Sequence, residues 1–555
     1  MRTGVNDFSI HVATVNGSGS QTANNVLLRA IFQMGIPVSG KNLFPSNIAG
    51  LPTWFTIRAS KDGWIARRGG HEILVVMNPE TAAADVAEMG PGTVIVTNES
   101  IKLPPVADDR IVYAVPMAKL MEPITTDVKL RRLVVNMIYV GVLAELLGID
   151  VVEVDKALHA QLGRKPKAMA LNQAAVQAGM KYVREHLPKR DPYKVERLSL
   201  TAGKILIDGN TAAALGAMFA GVTVVTWYPI TPSSSLVEAL IGFLEKYRRD
   251  PATGKASYAV IQAEDEIAAI GMVLGAGWAG ARSMTSTSGP GLSHGDTQFP
   301  VLLPGSVSEC YEFAQGAFDL AERLQMPVFV LSDLDLGMNN WMSEPFTYPD
   351  KAWDRGKVLD DAALAKLAKF ERYRDVDGDG IPYRTLPGSK DWKGTYFTRG
   401  SGHDEAARYT EDPNAYVRNM DRLKRKLETA RTLVPVPEVF STNGAEIGLI
   451  AYGSSHWALV EARAELAASG VRTSYMRVRG MPLPASVAEF VKQHDRVYVI
   501  EQNRDGQLTE RIRLESPDRA TRIRSVLHYD GLPLDARSVV RGVLAHEGVA
   551  QGVVK

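Results

Sequence analysis

Cysteine is almost missing from this sequence: Cys310 is the single one in 555 residues. A disulfide framework, a Cys-rich zinc site and a Cys-ligated iron–sulfur cluster are therefore excluded within the chain. Cys310 itself, in "SVSECYEFAQGAF", reads as a small buried hydrophobe. An excess of one charge is missing too. The 63 basic residues face 62 acidic ones, which argues against nucleic acid or a polyanionic surface as the main partner. No uninterrupted apolar run reaches the length of a membrane span. The opening "MRTGVNDFSIHV" lacks the apolar core of a signal peptide, and both points favour the cytoplasm. The histidines form no HExxH or similar pair. Tandem repeats and low-complexity tracts are absent as well.

What remains is an ordinary globular composition, long enough for three or four domains. Short β-branched runs ("SIHVATV", "EILVVMN", "GTVIVTN") alternate with helical periods ("LVVNMIYVGVLAELLGI", "AAVQAGMKYVREHL"). Such alternation predicts an α/β fold with parallel sheets and helices on their faces. The polar stretch 188–198 reads as a linker. A second α/β region runs to about Gly337, and a third starts near Glu446. Between them lies a long irregular arm, rich in charge, glycine and proline, in which aromatics favour an ordered cover laid over other domains. It ends in "NAYVRNMDRLKRKLETARTL", which reads as a charged, solvated helix. The expected division is 1–190, 199–338, 339–435 and 436–555.

Three stretches of the second region carry candidate chemistry. In "QAEDEIAAIGMVLGAGWAGAR", Glu266 opens a helix whose small residues, Gly275 and Ala276 among them, predict close backbone packing. A carboxylate there suits the positive end of the helix dipole, and that alone accounts for a lone Glu. In "TSTSGPG", Gly289 and Gly291 flank Pro290, a turn at which backbone N–H groups can approach a ligand. A plain tight turn explains it equally. In "WYPITPSSS", Pro229 and Pro232 bracket Thr231 where a strand ends, and the serines suit a helix cap. Capping does not explain a hydroxyl braced by two prolines at the end of a strand where α/β sheets bind ligands.

Taken together, "GNTAAALGAMFAG", "YPITPSS", "QAEDEIAAIGMVLGAGWAGAR" and "TSTSGPG" resemble the pyrimidine-binding domain of the thiamine-diphosphate-dependent 2-oxoacid:ferredoxin oxidoreductases. "DVDGDGIPYRTLPG", "YFTRGSGHDE", "NRDGQL" and "HYDGLPLDAR" resemble more narrowly the alpha subunit of the 2-oxoglutarate type, and "GSGSQTANNVLLRAIFQMG" that family's fused gamma domain. The resemblance implies a Rossmann-like gamma domain, a pyrimidine-binding domain and a transketolase C-terminal-like domain. It implies that Glu266 hydrogen-bonds the aminopyrimidine of thiamine diphosphate. Thr231 would contact the substrate, and Tyr228, Pro229, Ile230, Gly289 and Gly291 would line the cofactor. The reaction implied is oxidative decarboxylation of 2-oxoglutarate to succinyl-CoA with reduction of ferredoxin, or the reverse, with coenzyme A as co-substrate. The chain itself offers no cluster ligands and no convincing metal–diphosphate site. Magnesium, the diphosphate and a [4Fe-4S] cluster are thus expected on a cysteine-rich beta subunit, in an (alpha-beta)2 heterotetramer.

The loop Asp375–Gly380 mimics both a diphosphate motif and a calcium loop. It follows a charged stretch, though, and has Leu386 where an EF-hand needs Glu, so a turn-forming acidic loop is the better reading. "GSGSQ" lacks the third glycine of a dinucleotide fingerprint and reads as a tight strand-to-helix turn. One departure stands out. Relatives continue past "SGPG" with a helix, a strand and an Arg-Gly-Gly-Pro-Ser-Thr-like loop, whereas here "TSGPGLS" runs straight into "HGDTQFPVLLPG". Either a segment is missing from the chain as numbered, which is the better reading because losing an interior strand should damage the sheet, or the site is altered, which favours a non-catalytic assembly protein on the same fold. Within the family, a pyruvate or branched-chain 2-oxoacid enzyme is the alternative.

Overall fold

The structure is a computed structural model that describes residues 4–43, 49–288, 299–398 and 402–548. The chain opens with a six-stranded sheet of β1 (Asp7–Val15), β2 (Val38–Leu43), β3 (Pro52–Ser60), β4 (Ile73–Val76), β5 (Val94–Asn98) and β6 (Ile111–Val115), in the order β2-β3-β1-β4-β5-β6. β1, β4, β5 and β6 run parallel, while β3 is antiparallel to both its neighbours. Phe8, Ile10 and Val12 of β1 lie wholly inside, and Ser9 and Ala13 on its other face are buried as well, so both faces of this interior strand are covered. The "GSGSQ" segment is the tight turn the sequence suggests. Gly17 and Gly19 both take φ 82°, and a Cβ on Gly19 would lie 2.4 Å from the Leu133 carbonyl oxygen.

The polar stretch 188–198 is not a free linker. Asp191 and Val195 are buried, Tyr113 Oη donates to Asp191 at 2.9 Å, and Lys194 bridges back to Val5. β7 (Ile205–Ile207) follows, then a parallel sheet of β8 (Val224–Trp227), β9 (Ala259–Gln262) and β10 (Ser283–Met284), with β8 central. Beside it, the Gly209–Phe219 helix packs on the Val307–Leu324 helix at very short range: a Cβ on Gly216 would stand 2.2 Å from the Tyr311 carbonyl oxygen. Cys310 sits in the same contact, and burial pushes its thiol pKa up.

After residues 289–298, which lie outside the described residues, the chain does not return to β10. β11 (Val301–Leu302) lies between parallel β12 (Phe329–Val330) and an antiparallel strand of the last region, β17 (Gly480–Met481). β13 (Trp341–Ser343) pairs with β7. The last region holds a five-stranded sheet, β14 (Glu438–Phe440), β15 (Ile447–Tyr452), β16 (Thr473–Val478), β18 (Arg496–Glu501) and β19 (Ile523–Leu527), with β17 (Gly480–Met481) outside it. All of its pairings are parallel except β14 with β16. Among the described residues no helix is long and apolar enough to cross a membrane.

Buried ion pairs fasten these sheets together. Arg58 of β3 clasps Glu461 with two bonds of 2.7 and 2.6 Å. Lys41 of β2 meets Asp335 at 2.7 Å under the Trp341 ring. Arg477 of β16 and Arg479 reach across to Glu309 at 2.7 and 2.6 Å. Burial opposes the charge on Glu309, yet the bonds and charge of Arg477 outweigh it and hold the carboxyl below its usual value of 4.5. The folded pKa is therefore the lower one, so this junction stabilises fully above pH 4.5 and its contribution is lost as pH falls through the folded value. Arg477→Met leaves Glu309 with Arg479 as its one remaining cation and should destabilise the chain by about 3 kcal/mol in a denaturant melt. Arg504→Ala, at an exposed pair with Asp505, should leave the midpoint unchanged.

Candidate active site

β8, β9 and β10 are parallel, so the segments that follow them emerge at one end of one sheet. Trp227, the last residue of β8, pairs with Gln262, the last of β9. That register brings the "YPITPSS" loop and the Glu266–Trp278 helix to the same carboxyl edge, where α/β sheets present ligand sites. The third segment joins them through Ser286, whose Oγ donates to the Ser233 carbonyl at 3.4 Å. Of its turn, Gly289 and Gly291 lie outside the described residues.

Thr231 lies exposed in the first loop, and Tyr228 is 37% exposed beside it. Pro229 is exposed and Ile230 half-buried, and the Thr231–Pro232 peptide is cis. Asn210 fixes this loop from beneath: its amide donates to the Pro232 carbonyl at 2.9 Å and to Ser235 Oγ at 2.8 Å. The serines are not side-chain caps. Ser233 occupies the N-cap, but its hydroxyl donates to the Ile230 carbonyl at 3.1 Å, and that of Ser235 to Pro232. They tighten the loop instead of satisfying the first helical N–H groups. The Asn210 brace was missed in the sequence, because nothing local ties a residue of one helix to a loop twenty positions on.

Glu266 is the first residue of its helix and is half-buried. Asp265 caps that helix, accepting from the Ala268 N–H at 2.6 Å, so the helix start does not depend on Glu266. The Glu266 carboxylate has no hydrogen-bond or ion-pair partner among the described residues. One carboxylate at a helix N-terminus is thus left free to receive a donor from outside the chain.

The expectation of a tightly packed helix is corrected here. Ala269 is its one buried residue among those described. Ile267 is 81% exposed, Leu274 and Trp278 are more than half exposed, and nothing lies within 4 Å of a Cβ built on Gly271 or Gly275. These positions recur at helical spacing and form one apolar face of low relief. Small residues in a helix mark a close approach, and among the described residues nothing approaches Gly271 or Gly275.

The acidic loop is a turn, as read. Lys357 Nζ stands between Asp377 and Asp379 at 2.6 and 2.8 Å, where a metal would need to be, and Asp375 accepts from the Gly378 N–H. Among the described residues no group of three or more candidate ligands could hold a metal ion.

Two family models match the chain. Pyruvate ferredoxin/flavodoxin oxidoreductase covers residues 9–182, and the thiamine-diphosphate-binding part of pyruvate flavodoxin/ferredoxin oxidoreductase covers residues 215–295. Subunit alpha of 2-oxoacid:ferredoxin oxidoreductase 2 from Aeropyrum pernix is 27% identical over 645 aligned positions, spanning 97% of each chain. The 2-oxoglutarate synthase subunit KorA of Methanothermobacter marburgensis is 29% identical over 354 positions, 54% of this chain and 87% of its own. A solved 2-oxoglutarate:ferredoxin oxidoreductase from Magnetococcus marinus superposes with a TM-score of 0.86 at 25% identity, over 97% of this chain and 99% of that one. Along almost its whole length the chain is similar to the alpha subunits of the 2-oxoacid:ferredoxin oxidoreductases.

Proposed function

We propose that this chain is the alpha subunit of a 2-oxoglutarate:ferredoxin oxidoreductase. With a cysteine-rich beta subunit, in an (alpha-beta)2 assembly in the cytoplasm, it would convert 2-oxoglutarate and coenzyme A to succinyl-CoA and carbon dioxide, passing electrons to ferredoxin, or run the reverse. The observation that carries the reading is the Glu266 carboxylate, unpartnered among the described residues, at the same sheet edge as the exposed Thr231 loop and beside an apolar face those residues leave exposed. The substrate is taken from the Magnetococcus marinus enzyme, whose structure has 2-oxoglutarate, coenzyme A and succinyl-CoA bound.

The residues fit half of a thiamine diphosphate site. A free carboxylate at a helix tip suits a protonated pyrimidine nitrogen, and Tyr228, Pro229 and Ile230 offer a wall for the ring. Thiamine diphosphate, when bound, supplies the electron sink for loss of carbon dioxide from a 2-oxo acid. Glu266 holds and returns a proton at the pyrimidine nitrogen. Thr231 Oγ donates to the substrate's carboxylate or carbonyl. Gly289 and Gly291 line the cofactor in the same reading. Once the partner covers the Ile267–Trp278 face, water is excluded and each of these polar contacts strengthens. The residues do not fit the diphosphate and its magnesium, since Lys357 fills the one acidic loop. Nor can Cys310 alone hold a cluster. Both groups are assigned to the beta subunit. The division into 1–190, 199–338, 339–435 and 436–555 belongs to the same proposal.

A second reading has one observation in its favour. The Aeropyrum alignment needs 645 positions although this chain has 555 residues, so the relative carries segments that this one lacks. A non-catalytic assembly protein on the same fold would tolerate that loss.

Glu266→Gln, co-expressed with the beta subunit, should lower 2-oxoglutarate-dependent ferredoxin reduction by at least about 100-fold, with the complex intact by size-exclusion chromatography. Activity within a few-fold of wild type would remove the assigned role. Wild-type complex that binds thiamine diphosphate but reduces no ferredoxin with 2-oxoglutarate, pyruvate or branched-chain 2-oxo acids would favour the assembly protein. In pull-downs, Leu274→Asp on the open face should release the beta subunit and leave the melting midpoint of the free chain unchanged.

A further inference from the structure

The helix expected to be solvated, Pro413–Leu433, turns two of its cations inward. Arg422 and Lys426 are 7% and 8% exposed. A third cation, Arg372 of the arm, is 7% exposed beside them. The Arg372 guanidinium lies among the rings of Trp278, Tyr373 and Tyr396, at 6.0, 5.0 and 5.7 Å from their centroids. Arg422 approaches Tyr373 as well, at 5.7 Å. Three positive side chains therefore share one buried corner between the arm and the helix.

None of them has a carboxylate partner among the described residues. Arg422 donates to the Gly380 carbonyl at 3.1 Å and to Asn419 Oδ1 at 2.9 Å, and Lys426 to the Gln325 carbonyl at 3.1 Å. Nε and Nη1 of Arg372 are buried with no acceptor. Asp375, whose charge reaches Arg422, is already paired with Arg425 at 3.0 Å. The strain shows in the titration of Lys426. Burial first, then the like charges of Arg422 and Arg372, bring its pKa down to about 7. Elsewhere in this chain buried cations meet acids, as Arg58 meets Glu461 and Arg477 meets Glu309. Water can accept from Arg372, yet water leaves three charges unneutralised. A compact oxyanion accepts the free N–H groups in their planar fork and cancels the repulsion.

We propose that Arg372, Arg422 and Lys426 form a binding site for a compact oxyanion of the phosphate class, seated between the arm and the Pro413–Leu433 helix. Trp278 ends the 13-residue helix that Glu266 begins, so a rise of about 1.5 Å per step sets their backbones roughly 18 Å apart. The oxyanion is accordingly a second ligand, and the proposal stands or falls apart from the catalytic reading.

Sulfate is the probe, because its charge does not change between pH 6 and 9. Titration calorimetry of the full chain should show one sulfate per chain. Repeated at pH 8 in two buffers of different ionisation enthalpy, it should show uptake of close to one proton, since the anion restores the charge of Lys426. At pH 6, where Lys426 is already protonated, uptake should vanish. This arm needs no substitution. Arg372→Met and Lys426→Met should each weaken sulfate at least about tenfold, and Lys426→Met should abolish the proton uptake. No binding by the wild type, binding without proton uptake at pH 8, or binding unchanged in folded Arg372→Met would each overturn the proposal. Displacement of sulfate by AMP would assign the site to phosphate esters, and failure of AMP to displace it would assign the site to the free ion.

Discussion

A charge removed from water must meet its opposite, and this constraint organises the chain. Each α/β unit has its own apolar core, but cores do not orient units relative to one another. Directional contacts do: Arg58 with Glu461, Lys41 with Asp335, and Arg477 with Glu309 each join residues distant in sequence through bonds of fixed geometry. Breaking one leaves an uncompensated charge indoors, so the arrangement tolerates little sliding. The sheet edge that carries Thr231 and Glu266 is held in place by this scaffold.

Against that rule, two places are conspicuous. Glu266 is a carboxylate with no partner among the described residues, at the rim of a helix face whose Ile267 and Leu274 stay largely exposed. Both deficits have the same sense: the surface is shaped for something that completes it. The corner of Arg372, Arg422 and Lys426 is the mirror case, positive and closed where Glu266 is negative and open. A satisfied structure would show neither.

Much of this was legible in the sequence. The β-branched runs "SIHVATV" and "EILVVMN", alternating with helical periods, predicted strands of a parallel sheet, and β1 and β4 are such a parallel pair. The site segments were legible as well, because prolines around a hydroxyl and an acid opening a helix are local signals. Partners at long range were not. "GAGWAG" announced a close approach without saying what approaches, and among the described residues nothing comes within 4 Å of a Cβ on Gly275. The Pro413–Leu433 helix looked solvated because lysine and arginine are read as surface residues. Their long apolar stems let a head group be buried wherever a neighbouring element supplies cover, and Gly380 comes close enough to do so. The serines after Pro232 were assigned to capping, since sequence alone does not show which carbonyl a hydroxyl finds.

One strand pairing bears on motion. β11 belongs to the second region and β17 to the last, yet they share a ladder, and the Leu303 N–H donates to the Arg479 carbonyl at 2.8 Å. Two bodies stitched through a common sheet cannot swing open like a clam without tearing backbone bonds. Any opening at the sheet edge must therefore come from its loops, because the frame behind it has no hinge at this junction.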